Sequence, residues 1–318
     1  MTTTVKQAIT AFLGNIQKSN PRNTYKTYKS DLLGASGFMP SVKEIKSTSP
    51  IEAVTEEMCV EFLQSILDKG LSPATRQRKA STLREFIRFV SDEYDLPISV
   101  DRLNHKIKTH HLLKTPKIQI DYPGEKVERI LEFSKTLKPT DLTGQRDLAF
   151  LWTLAETGLR VSEACDLKVG QIDRRWRATF IGKGNKQATV TFGRQSRSWI
   201  TEYLKSRSAL DKSSGLTLTN LPLFARHDEA VGKNKVKQIN PKTAEKIIHH
   251  LARLVLGSEY DENITCHKLR HRFVTEIYRK KGIKVAKDMA RHSDLSTTDR
   301  YAHRDSEENA EISRQIFG

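Results

Sequence analysis

Four short segments in the second half of this 318-residue chain gather side chains that could do chemistry. The first is Glu156-Thr-Gly-Leu-Arg160-Val-Ser-Glu163-Ala. The second is Gly182-Lys183-Gly-Asn-Lys, and the third is His267-Lys-Leu-Arg270-His271. The fourth runs from Arg291-His292 through Thr298 to Tyr301-Ala-His303. Forked guanidiniums suit the nonbridging oxygens of a phosphate, which they can hold by paired, charge-assisted hydrogen bonds. Imidazoles donate or exchange protons near neutral pH. A phenol, with an ordinary pKa of about 10, becomes a nucleophile only beside positive charge or a base.

Each segment also has a plainer reading. Arg160 could simply pair with Glu163, three residues along a helix. Lys183 in a glycine-flanked turn could be a solvated hairpin lysine, and Tyr301 could be a packing side chain. The run at Gly182 lacks both the GxxxxGK[ST] spacing of a P-loop and the hydroxyl after its lysine. His267 and His271 lie one helical turn apart, as zinc ligands would, but Lys268 stands where a metalloprotease helix needs glutamate. A nucleotide or metal cofactor is therefore not expected.

The elements that must hold these segments can be read from periodicity. The first hundred residues read as helical. Val5 to Ile16 carries apolar residues at helical spacing, and Thr24 to Leu33 is a second helix broken by Gly34 and Gly37. Thr55 begins a third, closed by Gly70. Ser72-Pro73 opens a fourth, with a capping serine and proline at the first helical position. Leu83, Phe86, Ile87 and Val90 form its buried face, and Arg76, Arg78, Lys79, Arg84 and Arg88 its other face. From Asp101 to Tyr122 no sustained period appears, so residues 104–122, with Lys106, Lys108, Lys114 and Lys117, read as a basic linker. Helices resume near Gly124. One interruption alternates and is β-branched: Arg177 to Ile181 and Gln187 to Phe192, a hairpin turning at Gly182-Lys183-Gly184. Further helices follow at Arg194 to Ser206, at Pro241 to Leu256 after Asn240, and at Cys266 to Arg279.

Bulk composition narrows the class. The formal net charge is +16, which favours polyanions through release of their counterions. The basic residues are spread along the chain with no tail-like block, as suits a protein that surrounds its polyanion. No apolar run approaches the roughly 20 residues of a membrane span. The N-terminus lacks the apolar stretch of a secretory signal. Cys59, Cys165 and Cys266 are few, odd in number and far apart, so a reducing cytoplasm is expected.

The order Arg160, Lys183, His267-x-x-Arg270, His292, then Tyr301 gives the segments joint weight. In these residues the chain resembles the tyrosine recombinase (phage integrase) family. All six catalytic positions of that family find a counterpart, over about half of the chain. Ser72-Pro-Ala-Thr-Arg-Gln-Arg-Lys-Ala-Ser-Thr-Leu-Arg-Glu-Phe looks like the same family's core-binding domain. Two positions depart from the pattern: Arg291 stands where glycine is usual, and Arg272, a further candidate phosphate contact, where a small residue is often found.

The resemblance implies a mostly α fold with a small antiparallel β-sheet in the C-terminal domain. It also implies a two-domain DNA clamp: a helical core-binding domain at 1–103, the linker at 104–122, and an α+β catalytic domain at 123–318. Arg160 and Arg270 would clamp a DNA phosphate, assisted by His267, and His292 would donate a hydrogen bond to the phosphate or help activate the tyrosine. Lys183 would be the general acid, and Tyr301 the nucleophile forming a 3′-phosphotyrosyl link. The link conserves the energy of the broken bond, so neither ATP nor metal is needed. Arg76, Arg78, Lys79, Lys106 and Lys108 are the expected contacts to double-stranded DNA. Four protomers would hold two duplexes, and the amphipathic Ser306 to Phe317 could dock on a neighbour or close its own domain. The chain begins almost directly with the core-binding helices, as in simpler members such as an integrase, a resolvase or a chromosome-dimer resolution enzyme. The rivals are a type IB topoisomerase or telomere resolvase, a DNA-binding regulator that does not cut, and a metallohydrolase.

Overall fold

The computed structural model describes residues 2–19, 22–113, 124–182, 187–227 and 236–291. It divides into two compact units, Met1–Gln119 and Ile120–Gly318. The first holds α1 (Val5–Ser19), α2 (Arg22–Leu33), the single turn α3 (Phe38–Ser41), α4 (Glu56–Asp68), α5 (Pro73–Tyr94) and α6 (Val100–Thr109). Local chemistry sets several of these boundaries as the sequence implies. Thr55 accepts a hydrogen bond from Met58 N at 3.3 Å, and Ser72 accepts one from Thr75 N at 3.3 Å with Pro73 in the first turn. The core gathers the apolar faces around Phe12, Phe38, Phe62 and Phe86, whose rings meet edge-on or tilted at 5.6 to 6.2 Å.

Two expectations about this unit are corrected. Residues 100–109, read in part as linker, form α6. Leu103 and Ile107, one turn apart, are buried with Leu112 in the unit's core, and Ser99 caps the helix by accepting from Asp101 N and Arg102 N. The charged residues between these apolar positions hid the period. The second correction concerns the basic face of α5. Arg76 and Lys79 are turned inward, 7% and 5% exposed. Arg76 Nη1 donates to Leu112 O at 3.1 Å, while Lys79 Nζ donates to Ser36 O at 2.9 Å and lies 3.3 Å from the buried Asp31 carboxylate. Both cations answer polar groups of their own unit. Arg78, also paired with Asp31, and Arg88 remain at the surface. Arg76→Met is expected to cost about 1–3 kcal/mol, because it strands the Leu112 carbonyl, with little change in duplex affinity. Urea unfolding and a DNA titration check both halves.

The second unit contains α7 (Gly124–Ser134), α8 (Leu142–Thr157), α9 (Val161–Asp166), a hairpin of β1 (Arg177–Ile181) and β2 (Gln187–Thr191), α10 (Arg194–Ser213), α11 (Pro241–Leu256) and α12 (Cys266–Ala290). The strands pair antiparallel with Ala178 opposite Val190 and Phe180 opposite Ala188. α8 is buried around its whole circumference from Gln145 to Ala155 and forms the axis of the unit's core. Its last turn is fixed by Glu156, whose carboxylate accepts from Gln195 N at 3.2 Å and Ser196 N at 2.9 Å, capping α10. Gly193 allows this approach, since a Cβ there would lie 2.4 Å from that carboxylate. Asn240 caps α11 as the sequence implies, accepting from Thr243 N at 2.9 Å. α12 runs past Arg279 and is broken at Gly282 (φ 79°, ψ 174°) before a second helical piece ends at Ala290.

Candidate active site

The site is built on the corner between α8 and α9. Gly158 ends α8 in the left-handed region at φ 58°, and Arg160 stands immediately before the first turn of α9. Arg160 N donates to Glu163 Oε2 at 2.9 Å, and its Nη1 donates to Oε1 at 2.8 Å. The pairing with Glu163 is therefore real, yet it uses one side-chain nitrogen of Arg160, which stays 36% exposed. Burial pushes the Glu163 carboxyl up. The Arg160 backbone N–H, the Arg160 guanidinium and Arg291 outweigh it and hold Glu163 below the ordinary glutamate value.

α12 brings the second arginine to the same corner. Arg270 is 4% exposed; its Nη1 donates to Gly158 O and its Nη2 to Ala290 O. Arg270 thus ties the end of α8 to the end of α12 besides presenting its charge. His267, one turn earlier, is exposed at the start of α12. That start is capped from α11, where Glu245 Oε2 accepts from Cys266 N at 3.0 Å. Crowding away from water and then the Arg270 guanidinium hold the His267 imidazole below its ordinary value, with Arg160 adding to the effect. The shift favours the uncharged imidazole, which can still donate one hydrogen bond to a phosphate. His271 faces it with ring centroids 6.0 Å apart. No group of three or more His, Cys, Asp or Glu placed to hold a metal ion occurs among the described residues.

Of the six expected catalytic residues, Arg160, His267 and Arg270 are described and converge on one corner. Lys183, His292 and Tyr301 lie outside the described residues, as do Lys114, Lys117 and the segment Ser306 to Phe317. The expected DNA contacts divide. Lys106 sits on α6 paired with Glu57, and Lys108 is exposed on its last turn. Arg272 does not extend free toward a phosphate: its Nε and Nη2 donate to Glu128 of α7 at 2.5 and 3.1 Å. The Arg160–Glu163 pair was expected in the sequence, but the part Arg291 plays in it was not. Glu163 is a hub for two guanidiniums, and Arg291 reaches both Glu163 and Gly158 O. The signal was present for Arg291, since an arginine in a glycine-favouring position must be held by something.

Comparison with known proteins agrees with this geometry. The model of the phage integrase family matches residues 122–308, and that of the phage integrase N-terminal SAM-like domain matches residues 9–93. The tyrosine recombinase XerC of Thermodesulfovibrio yellowstonii is 29% identical over 304 residues, covering 93% of this chain and 91% of that protein. XerC of Bacillus subtilis is 28% identical, covering 84% of each chain. Among solved structures, XerH recombinase bound to a palindromic difH substrate in a post-cleavage complex superposes with a TM-score of 0.69 at 19% identity, over 97% of this chain and 83% of that one. A lambda integrase dimer bound to a core site gives 0.64 at 16% identity, over 96% and 79%. With the catalytic-domain model spanning more than half of its length and the arginine–histidine corner in place, the chain belongs to the phage integrase family of tyrosine recombinases.

Proposed function

We propose that the chain is a tyrosine-type site-specific DNA recombinase that cuts and rejoins strands through Tyr301. The observation that carries the reading is the convergence of Arg160, His267 and Arg270 at the α8–α9 corner. Arg291, immediately before His292 in the sequence, bonds to Glu163 and Gly158 O at the same corner, and its guanidinium lies 5.5 Å from the ring of Phe180 of β1. Attack on a DNA phosphodiester spreads negative charge over the nonbridging oxygens, so catalysis is mainly positioning and charge stabilisation. Arg160 and Arg270 hold those oxygens, and His267 donates a hydrogen bond to one of them. The Tyr301 phenol gives up its proton to the His292 imidazole as its oxygen bonds to phosphorus and the bond to the 5′-oxygen breaks. Lys183 gives that oxygen its proton, leaving a 3′-phosphotyrosine and a free 5′-hydroxyl. Attack by a 5′-hydroxyl on the phosphotyrosine reverses the step, so each broken link is restored without ATP.

Double-stranded DNA is the substrate, and the +16 charge supplies much of the salt-dependent attraction. Four protomers on two duplexes, exchanging strands in pairs at the nucleoid, complete the proposal. No helix among the described residues is long and apolar enough to cross a membrane.

The test uses nicked suicide duplexes made from the DNA flanking the chain's own locus. Wild type is expected to form a denaturation-resistant adduct, and Tyr301→Phe none. An adduct of equal yield in the variant would defeat the assignment of Tyr301. The adduct is expected to form equally in EDTA, whereas a metallohydrolase would lose activity. Relaxation of a plasmid lacking any specific site would favour the topoisomerase reading, and tight binding with no adduct the regulator.

A further inference from the structure

Arg291 is the member of this cluster that the reaction above leaves without a task. It closes α12 with φ 56° and ψ 43°, the left-handed conformation that glycine adopts freely and other residues adopt at a cost. Its Nη2 donates to Glu163 Oε2 at 3.0 Å and reaches Gly158 O at 3.4 Å. The guanidinium lies 5.5 Å from the Phe180 ring, and the side chain is 15% exposed. A third cation is thus tucked beside Arg160 and Arg270, against burial and against repulsion from Arg160. A placement that costs this much must change how its neighbours stand.

The effect falls on Glu163. Its Oε1 takes Arg160 Nη1, while its Oε2 is shared by Arg160 N and Arg291 Nη2. A guanidinium and a carboxylate left to each other prefer two parallel hydrogen bonds. Here the second oxygen is already committed. Among the described residues, Arg160 Nε and Nη2 therefore take no protein partner and remain available to a ligand. The same arginine also fastens the end of α12 to the α8–α9 corner, in parallel with the bond from Arg270 to Ala290 O.

We propose that Arg291 is a positioning residue for strand cleavage: by holding Glu163 Oε2 it stops Arg160 from closing on that carboxylate, and it anchors the turn that leads into His292. The inference rests on the recombinase reading, and its test separates the two. Arg291→Gly keeps the left-handed backbone at no steric cost and removes only the side chain. Single-turnover adduct formation on a nicked duplex is expected to slow by about tenfold or more, with the duplex Kd changed by less than about threefold. In a Glu163→Gln background the same substitution is expected to cost less than about threefold further, because both act through one carboxylate. Cleavage as fast as wild type, or losses that multiply independently, would overturn the proposal. A loss confined to Kd would overturn it too, in favour of a direct phosphate contact. Carbon-13 NMR titration of the Glu163 carboxyl, whose charged neighbours are Arg160 and Arg291, needs no activity. Its pKa is expected to rise in Arg291→Gly. If wild type formed no adduct the recombinase reading alone would fall, while an unchanged Glu163 titration would still sink the positioning role.

Discussion

Arg160→Ala is expected to slow covalent adduct formation by about 10²–10³-fold, the usual loss when one aimed donor to a transition-state oxyanion is removed. Duplex affinity should change little, since one phosphate contact is lost among many. The structure makes Arg160 the cleaner probe of the two arginines. Its side chain is partly exposed, and the Glu163 carboxylate it pairs with keeps Arg291 and the residue-160 backbone N–H as partners when the guanidinium is removed. Arg270, in contrast, is buried and bonded to the carbonyls of Gly158 and Ala290, so Arg270→Ala would also loosen α12. Its loss of activity would mix chemistry with unfolding. Arg160→Lys is expected to recover only part of the rate, because an ammonium keeps the charge but lacks the fork that grips two oxygens. Rapid-quench sampling of the adduct, beside thermal melts of each variant, provides the measurement. An Arg160→Ala protein that cleaves within about threefold of wild type would remove this residue from the phosphate site.

Gly158→Ala is expected to be the most damaging single methyl group in the second unit. Two independent costs meet there. The backbone sits at φ 58°, where an L side chain is disfavoured by about 1–2 kcal/mol. The added Cβ would also lie 2.2 Å from the nearest ring atom of Phe273, which is 8% exposed and packed against Val274, Ala286 and Ala290. Overpacking of that kind typically costs about 1–3 kcal/mol more. The carbonyl of the same residue accepts from Arg270 and Arg291, so any shift of the corner displaces both guanidiniums. A fall of about 2–5 kcal/mol in unfolding free energy is expected, together with slower adduct formation in the fraction that remains folded. Measured against Phe273→Ala alone, the further cost of Gly158→Ala should shrink to the backbone part. A Gly158→Ala variant as stable as wild type in urea would contradict this account of the corner.

Much of this architecture was legible in the amino acids. Ser72-Pro73, Asn240 and Thr55 announce helix starts because a short polar side chain satisfies N–H groups that the first turn leaves open. The hairpin was legible because β1 and β2 alternate and are separated by glycines. α6 was not, since two buried positions one turn apart among lysines and histidines make too weak a period to read. Arg76 and Lys79 were misread for a related reason. The spacing of a charged residue says which side of a helix it leaves from, but not that a carbonyl or a buried carboxylate waits there. Arg272 likewise met a glutamate 144 residues away.

What the sequence alone offered is an inventory of candidates: two arginines, histidines, a lysine and a tyrosine in a fixed order, with Arg160, His267 and Arg270 on elements whose ends are written by nearby residues. Those are local facts, set by spacing and by caps within a few residues. Only the tertiary structure decided how the cations are shared out. It gave the Gly158 carbonyl to Arg270 and Arg291, divided Glu163 between Arg160 and Arg291, and spent Arg76 and Lys79 inside the first unit. The reason is that a buried charge must be answered by whatever polar group the fold brings within about 3 Å, and that partner is chosen by packing between segments far apart in the chain.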